Sequence, residues 1–377
     1  MRNSLRSHGG LVSHLSILII ATFSTHLLRQ VFAIPRTCNL FQGSWVSDNS
    51  SKSNNIPLVY DSSQCPFINP LFDCAKHGRP DRGYLRYRWQ PSACNLPKFD
   101  GKVFLEKLRG KTIVIVGDSI SFNQQESLTC LLHAAVGPNS KITTGTMGPY
   151  NSNYVTFQEY GVTIAEFYTR FLAQITTEKI GRVLKLHLIN DYGNVWKDAD
   201  VLIFNTGFWW DVNGNQKGWD FIQDGENNPI VRDMDRTLAF RKALTTWAKW
   251  VDSGVLNFAK TKVFYQGFYP DHYRPSEWGR PELKDCAKET EPMSGSTYPA
   301  GPPPRLSIVE QVLSSIKSPV QFLNVTTLSQ LRKDGHPGRY SDAGNGFVDC
   351  THWCLAGIPD TWSSIIFAYL TLDENMA

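Results

Sequence analysis

The run Ile113-Val114-Ile115-Val116, followed directly by Gly117-Asp118-Ser119, constrains this chain more than any other stretch. Four β-branched apolar residues in succession read as a buried strand, and Gly-Asp-Ser ends it abruptly. From Ile120 to Val136 there is no Pro or Gly, and Leu128, Leu131 and Leu132 fall at helical spacing, so a helix follows. A strand that turns sharply into a helix leaves the turn residue at the carboxyl edge of a sheet, beside the free N–H groups of the helix N-terminus. A serine hydroxyl there stands where it can attack a carbonyl carbon and have the resulting oxyanion stabilised. Ser and Asp also favour helix caps, so on this stretch alone Ser119 reads either as a cap or as a nucleophile.

A second stretch, Asp349-Cys350-Thr351-His352-Trp353-Cys354, supplies what a serine nucleophile needs. An imidazole must take the hydroxyl proton, and a carboxylate must fix its tautomer and stabilise its cation. Asp349 and His352, three positions apart, can do both on one turn. The plainer reading is that Asp349 makes local turn hydrogen bonds and His352 is a satisfied surface side chain.

The rest of the chain alternates strands and helices. Ala199–Phe204, Lys262–Gln266 and Val320–Val325 read as further strands, and Asp235–Val251 and Pro304–Ile316 as helices, with Leu238 counted on the apolar face of the first. Tyr154–Phe157 and Val162–Phe167 read as a strand pair around Tyr160-Gly161, Phe99–Leu108 as a short helix, and 137–148 as a polar loop. The pattern predicts an α/β fold with a mainly parallel sheet and helices on both faces, ligands binding beyond the carboxyl ends of the strands. Residues 38–100, rich in Pro, Cys and aromatics, read as an irregular, disulfide-stapled lobe, with a polar loop over 47–55.

The four arginines and absent acids of the first 36 residues account for the whole net charge of +4. The neutral remainder argues against nucleic acid as a partner. Leu11–Leu28 is an apolar run behind a basic start, which gives residues 1–36 as a signal peptide or a type II signal anchor. Either way the body enters the secretory lumen. The eight cysteines fit four disulfides among many connectivities, whereas no close Cys/His quartet suggests a metal. Asn49-Ser50-Ser51 and Asn324-Val325-Thr326 are glycosylation sequons.

Gly117-Asp118-Ser119 together with Asp349-Cys350-Thr351-His352-Trp353-Cys354 resembles the plant trichome birefringence-like family, GDSL/SGNH-type polysaccharide O-acetyltransferases. Further matching segments are Cys38–Trp45, Tyr60-Asp61 with Cys65-Pro66-Phe67, Tyr87–Pro91, and Pro270-Asp271-His272-Tyr273 with Trp278, so the resemblance spans nearly the whole chain. It implies an SGNH-hydrolase-like three-layer fold, with a 37–100 N-terminal lobe before a 101–377 catalytic domain. It also implies disulfides 38–94, 65–130, 74–354 and 286–350, and residence in the Golgi membrane, with secretion to the apoplast as the alternative.

The site implied is Ser119 as nucleophile, His352 as base and then acid, Asp349 as its orienting carboxylate, and Asn205, after a later strand, as an oxyanion donor or merely a turn residue. Asp118 anchors the turn. No metal and no bound cofactor are expected. The partners are a wall-polysaccharide acceptor and an acetyl donor, acetyl-CoA being the working choice although no nucleotide-binding motif marks a place for it. Trp89, Trp209, Trp210 and Trp353 read as sugar-stacking platforms or as core, and Arg86, Arg88 and His272 as cleft residues or internally paired ones. Phe208, Gln125, Ala356 and Ser363 depart from the family pattern; Phe208 replaces a usual His near the cleft. An acetylesterase with the same residues and a non-catalytic polysaccharide-binding protein are the competing readings.

Overall fold

The computed structural model describes residues 38–47, 60–148, 152–342, 344 and 346–371. Residues 1–36, with the expected signal peptide or anchor, and the Asn49 sequon lie outside these. The first half runs β1 (Gly43–Ser47), β2 (Tyr87–Pro91), α1 (Gly101–Lys107), β3 (Thr112–Gly117), α2 (Ser119–Val136), β4 (Ile142–Met147), β5 (Ser152–Phe157), β6 (Val162–Tyr168), β7 (Ala173–Glu178) and β8 (Gly181–Ile189). The second half runs α3 (Gly193–Trp196), β9 (Val201–Phe204), β10 (Phe221–Gln223), α4 (Arg236–Val251), β11 (Lys262–Gln266), α5 (Leu306–Ser315), β12 (Val320–Leu323), α6 (Thr326–Gln330) and α7 (Ile358–Thr371).

The fold is α/β, built on a seven-stranded sheet in the order β12-β11-β9-β3-β6-β5-β4. The strands from β12 to β6 are parallel, and β5 and β4 extend the edge antiparallel. The unbroken apolar run of β3 reflects its central place, because its two faces meet different cores. Ile113 and Ile115 pack with Leu128, Leu131 and Leu132 of α2 and with Ile365 and Ile366 of α7. Val114 and Val116 pack with Ala243, Leu244 and Trp247 of α4 and with Val309 of α5. Period-two alternation thus sorts one apolar stretch into two layers of helices.

Several expectations are corrected. The stretch 137–148 is not all loop: β4 lies within it, half-exposed and Thr-rich at the sheet edge. A second sheet, β10-β8-β7, lies on the α4 side and has no counterpart in the sequence reading, nor does α7. Leu238 is 43% exposed, while Leu244, Trp247 and Val251 of the same helix are buried. The lobe over 38–100 is not wholly irregular, since β1 and β2 pair antiparallel with Trp45 opposite Trp89. Their indoles donate to Leu328 O at 2.7 Å and Leu40 O at 2.8 Å, and both rings join the same core as α2 and α7. The four disulfides join the pairs that the resemblance implies: Cys38–Cys94, Cys65–Cys130, Cys74–Cys354 and Cys286–Cys350. Thr326 of the second sequon is fully buried.

Candidate active site

The turn after β3 is built as its residue types require. Gly117 leaves no room for a side chain, as a Cβ there would lie 2.2 Å from Ser121 Oγ and 2.6 Å from Asn205 O. Asp118, not Ser119, is the N-cap of α2; its Oδ1 accepts from the Ile120 N–H at 3.1 Å and from the Tyr269 hydroxyl. Ser119 is left as the first helical residue, half-buried, its hydroxyl not consumed by capping. Burial raises the Asp118 carboxyl, while the Tyr269 and Ile120 hydrogen bonds oppose the rise.

Asp349 and His352 reach the same edge on a loop with no regular secondary structure. Disulfides to Cys286 and Cys74 pin it through Cys350 and Cys354. A single bridge to Gly338, with N–H···O distances of 2.8 Å in both directions, holds Asp349. The loop is also tied to the serine's own helix. Asn123, one turn after Ser119, accepts from the Trp353 N–H at 2.8 Å and donates to Trp353 O at 3.1 Å. These ties bring the three residues together: His352 Nε2 lies 2.8 Å from Ser119 Oγ, and His352 Nδ1 lies 2.7 Å from Asp349 Oδ2.

Asp349 Oδ1 accepts from the backbone N–H groups of Thr351 and His352, both at 3.0 Å. Burial works to raise the Asp349 carboxyl, but the His352 ring and these two N–H groups outweigh it and hold the group below the usual carboxylate range. An ionised Asp349 beside Nδ1 favours the tautomer that leaves Nε2 bare toward the Ser119 hydroxyl. His352 keeps 20% of its side chain exposed, and Phe72 packs on its ring with centroids 5.2 Å apart. An arrangement of this kind can draw a proton from Oγ as the oxygen attacks an acyl carbon and return it to a leaving group.

Asn205 follows β9 as expected and is buried, but its Nδ2 donates to Gln266 O at 3.3 Å and Gly267 O at 3.1 Å. In this arrangement the Asn205 amide N–H groups face the ends of neighbouring strands. No protein acceptor meets the Ser119 N–H among the described residues. Trp89, Trp210 and Trp353 are buried core, closed to a sugar ring; Trp209 alone of the four is partly exposed, with the Arg170 guanidinium 3.7 Å from its ring centre. Arg86 and Arg88 stand exposed on a groove of roughly 400 Å³ beside Trp45 and Tyr87. Phe208 lines a separate cleft of roughly 410 Å³ with Phe268, Tyr269, Pro303 and Arg305, and the Tyr269–Asp118 hydrogen bond connects that cleft to the serine turn. His272 is not a cleft residue; it is buried against His336. Among the described residues no group of three or more His, Cys, Asp or Glu side chains is arranged to hold a metal.

Asn123 and His336 were missed in the sequence. For Asn123 the available signal is its i+4 spacing from Ser119, which puts both on one helix face. For His336 no local pattern distinguishes it.

Comparison with known proteins defines the class first. Residues 96–369 match the PC-Esterase model, described as a GDSL/SGNH-like acyl-esterase family found in Pmr5 and Cas1p, and residues 36–95 match the PMR5 N-terminal domain. Over 335 residues the chain is 50% identical to Protein trichome birefringence-like 38 of Arabidopsis thaliana, covering 89% of this chain and 84% of that one. Protein trichome birefringence-like 41 of the same plant is 46% identical over 360 residues, 95% of this chain and 98% of its own. This chain belongs to the trichome birefringence-like family of PC-esterases.

Proposed function

We propose that this chain is an O-acetyltransferase that moves acetyl onto hydroxyls of a plant cell-wall polysaccharide through a Ser119-linked acetyl-enzyme. The observation that carries this reading is the continuous hydrogen-bond chain Ser119–His352–Asp349 at 2.8 and 2.7 Å on the edge of an acyl-esterase-family sheet.

In the first half-reaction Ser119 Oγ attacks the acetyl carbon of the donor while His352 Nε2 takes its proton. The tetrahedral oxyanion collapses, the donor's leaving group departs with that proton, and acetyl stays on Oγ. A sugar hydroxyl then attacks, His352 again taking and returning one proton, and the acetylated polymer leaves free Ser119. Asp349 stabilises the imidazolium in both steps. The Ser119 N–H at the start of α2 is the oxyanion donor we assign, with Asn205 bracing the ends of neighbouring strands instead. Acetyl-CoA remains the working donor. We further propose that the 37–100 lobe caps the 101–377 catalytic unit and that residues 1–36 deliver both to the secretory lumen, in the Golgi membrane. The four disulfides fit an oxidising compartment.

The family's esterase description favours a second reading, in which water replaces the sugar hydroxyl. Purified chain and Ser119→Ala, incubated with an acetyl donor and deacetylated wall oligosaccharides, decide by mass spectrometry. Ser119-dependent gain of acetyl supports the transferase. Loss from acetylated oligosaccharides without any gain makes the protein an esterase. Glycan binding that is indifferent to Ser119, with no change of acetyl on either panel, overturns both.

A further inference from the structure

Behind the Ser119–His352–Asp349 chain, a second pair of imidazoles runs from one backbone carbonyl to another. His272 Nε2 lies 2.9 Å from Gln330 O, His272 Nδ1 lies 2.6 Å from His336 Nε2, and His336 Nδ1 lies 2.7 Å from the carbonyl oxygen of His352. The two residues are 0% and 3% exposed. His336 stacks on Trp353 with ring centres 4.0 Å apart, and His272 meets Trp278 and Tyr298 edge-on. The rings have little freedom to turn away from these partners.

The hydrogens in this relay can be counted. A carbonyl oxygen only accepts, so each terminal contact requires an N–H on its ring, and a neutral imidazole has one N–H. Spending both on Gln330 and His352 leaves two bare lone pairs facing each other across 2.6 Å, at His272 Nδ1 and His336 Nε2. Three contacts need three hydrogens, and two neutral rings bring two. We infer that His272 and His336 act as one proton-binding unit, holding a third proton between Nδ1 and Nε2 and thereby fixing the His352 carbonyl; their part in catalysis rests on the reading of His352 as the base. They are positioning residues, because neither reaches the reacting atoms.

The surroundings act on this proton in both directions. Burial opposes charge on either ring, pushing His272 down to about 4 and His336 well below the usual histidine range. Asp334 and Glu289 beside His272, and Asp349 beside His336, favour the charged form, while Lys333 and His352 disfavour it. A pair this close takes up its proton as a unit. As pH rises the proton leaves, the lone pairs repel, and one carbonyl contact opens. The rate then falls as that proton is lost, because the His352 carbonyl is no longer held on one side.

Histidine-labelled full-length protein, followed by ¹H–¹⁵N NMR across its folded pH range, tests the pair without any turnover. The expected result is one ring proton far downfield, correlated with both His272 Nδ1 and His336 Nε2 and lost as pH rises. Finding both nitrogens unprotonated at every pH overturns the inference. Kinetics supply the second readout. His272→Gln replaces the titrating ring by an amide donor, so the alkaline fall in kcat seen in the wild type is absent while KM for the donor moves by less than about twofold. An unchanged alkaline limb in folded His272→Gln overturns the role assigned to the pair. His336→Phe, which has no N–H for His352 O, lowers kcat about 100-fold at all pH values. Should the shared proton be found in a chain inactive on every acyl substrate, the pair stands and the acyl-transfer reading falls.

Discussion

Ser119 and His352 reach the same 2.8 Å contact by opposite means. The serine is placed by regular structure: a central parallel strand, a glycine with no space above it and a helix capped by Asp118. The histidine sits on an irregular loop held by two disulfides, one backbone bridge and the side chains of Asn123 and His336. A sheet edge fixes position through many small, redundant contacts. The loop depends on separate ties, and those made by side chains, the disulfides and Asn123 among them, can each be cut by a single substitution. Damage to the strand, glycine or cap that mounts the serine therefore takes the fold with it, whereas damage to the histidine's ties can spare the fold and lose the contact.

The largest effect expected is the chemical one. Ser119→Ala should lower acetyl transfer at least about 10³-fold, measured by acetylated product per hour, with an unfolding midpoint close to wild type. Next comes the covalent tie. Replacing Cys74 and Cys354 together opens a loop of 280 residues, against 64 for Cys286–Cys350, and chain-entropy reasoning puts the loss about 1 kcal/mol greater for the longer one. Denaturant unfolding of the two double mutants checks the order; equal losses would show that strain or residual structure dominates instead.

Asn123→Ala cuts the only pair of hydrogen bonds that runs from the serine helix to the Trp353 backbone among the described residues, leaving a buried N–H and C=O unpaired. A loss of about 3 kcal/mol in stability is expected, with a fall in kcat larger than any change in KM. A subtler contrast concerns pH. Burial raises Glu126 and Glu166, both on the serine side, from 4.5 to about 8. The folded state therefore binds protons that the unfolded chain has released. Their contribution to stability is full below 4.5 and is lost as pH rises toward about 8. Thermal melts should show that decline, and Glu126→Gln with Glu166→Gln should flatten it. Smallest of all, Leu238→Ala should shift stability by no more than about 0.5 kcal/mol, since that side chain faces solvent.

The same contrast explains what the sequence made legible. Strands β3, β9 and β11 are short, mainly apolar runs because parallel central strands are buried on both faces, and such runs stand out; β12, half-buried at the sheet edge, is marked by Val320, Phe322 and Leu323. The sheet β10-β8-β7 did not stand out: its strands mix Lys, Arg, Gln and Thr with apolar residues. In β4 a Thr- and Gly-rich edge strand looks like loop. Ser119, His352 and Asp349 were readable because each belongs to a compact motif. The partners of Asn123, His272 and His336 were not, because those contacts run across 230 and 64 residues of sequence; spacing placed Asn123 on the Ser119 face of the helix and a motif singled out His272, but neither names what it touches. For Asn205 the end of a strand told where the residue lies but not that its amide donates to Gln266 O and Gly267 O.

The bond between Cys74 and Cys354 also sets an order of events during biosynthesis. A chain emerging from the ribosome completes the Gly-Asp-Ser turn 233 residues before its histidine exists, and the cysteine that must wait for Cys354 is made earlier still. Through most of its synthesis the protein carries Ser119 without its hydrogen-bond partner His352. The last cysteine to emerge completes both the longest covalent loop and the histidine's mount, so the Ser119–His352 contact is secured late and with oxidation. A chain made under reducing conditions should accumulate as an acyl-transfer blank with its sheet largely formed, and should gain activity on exposure to an oxidant without new synthesis.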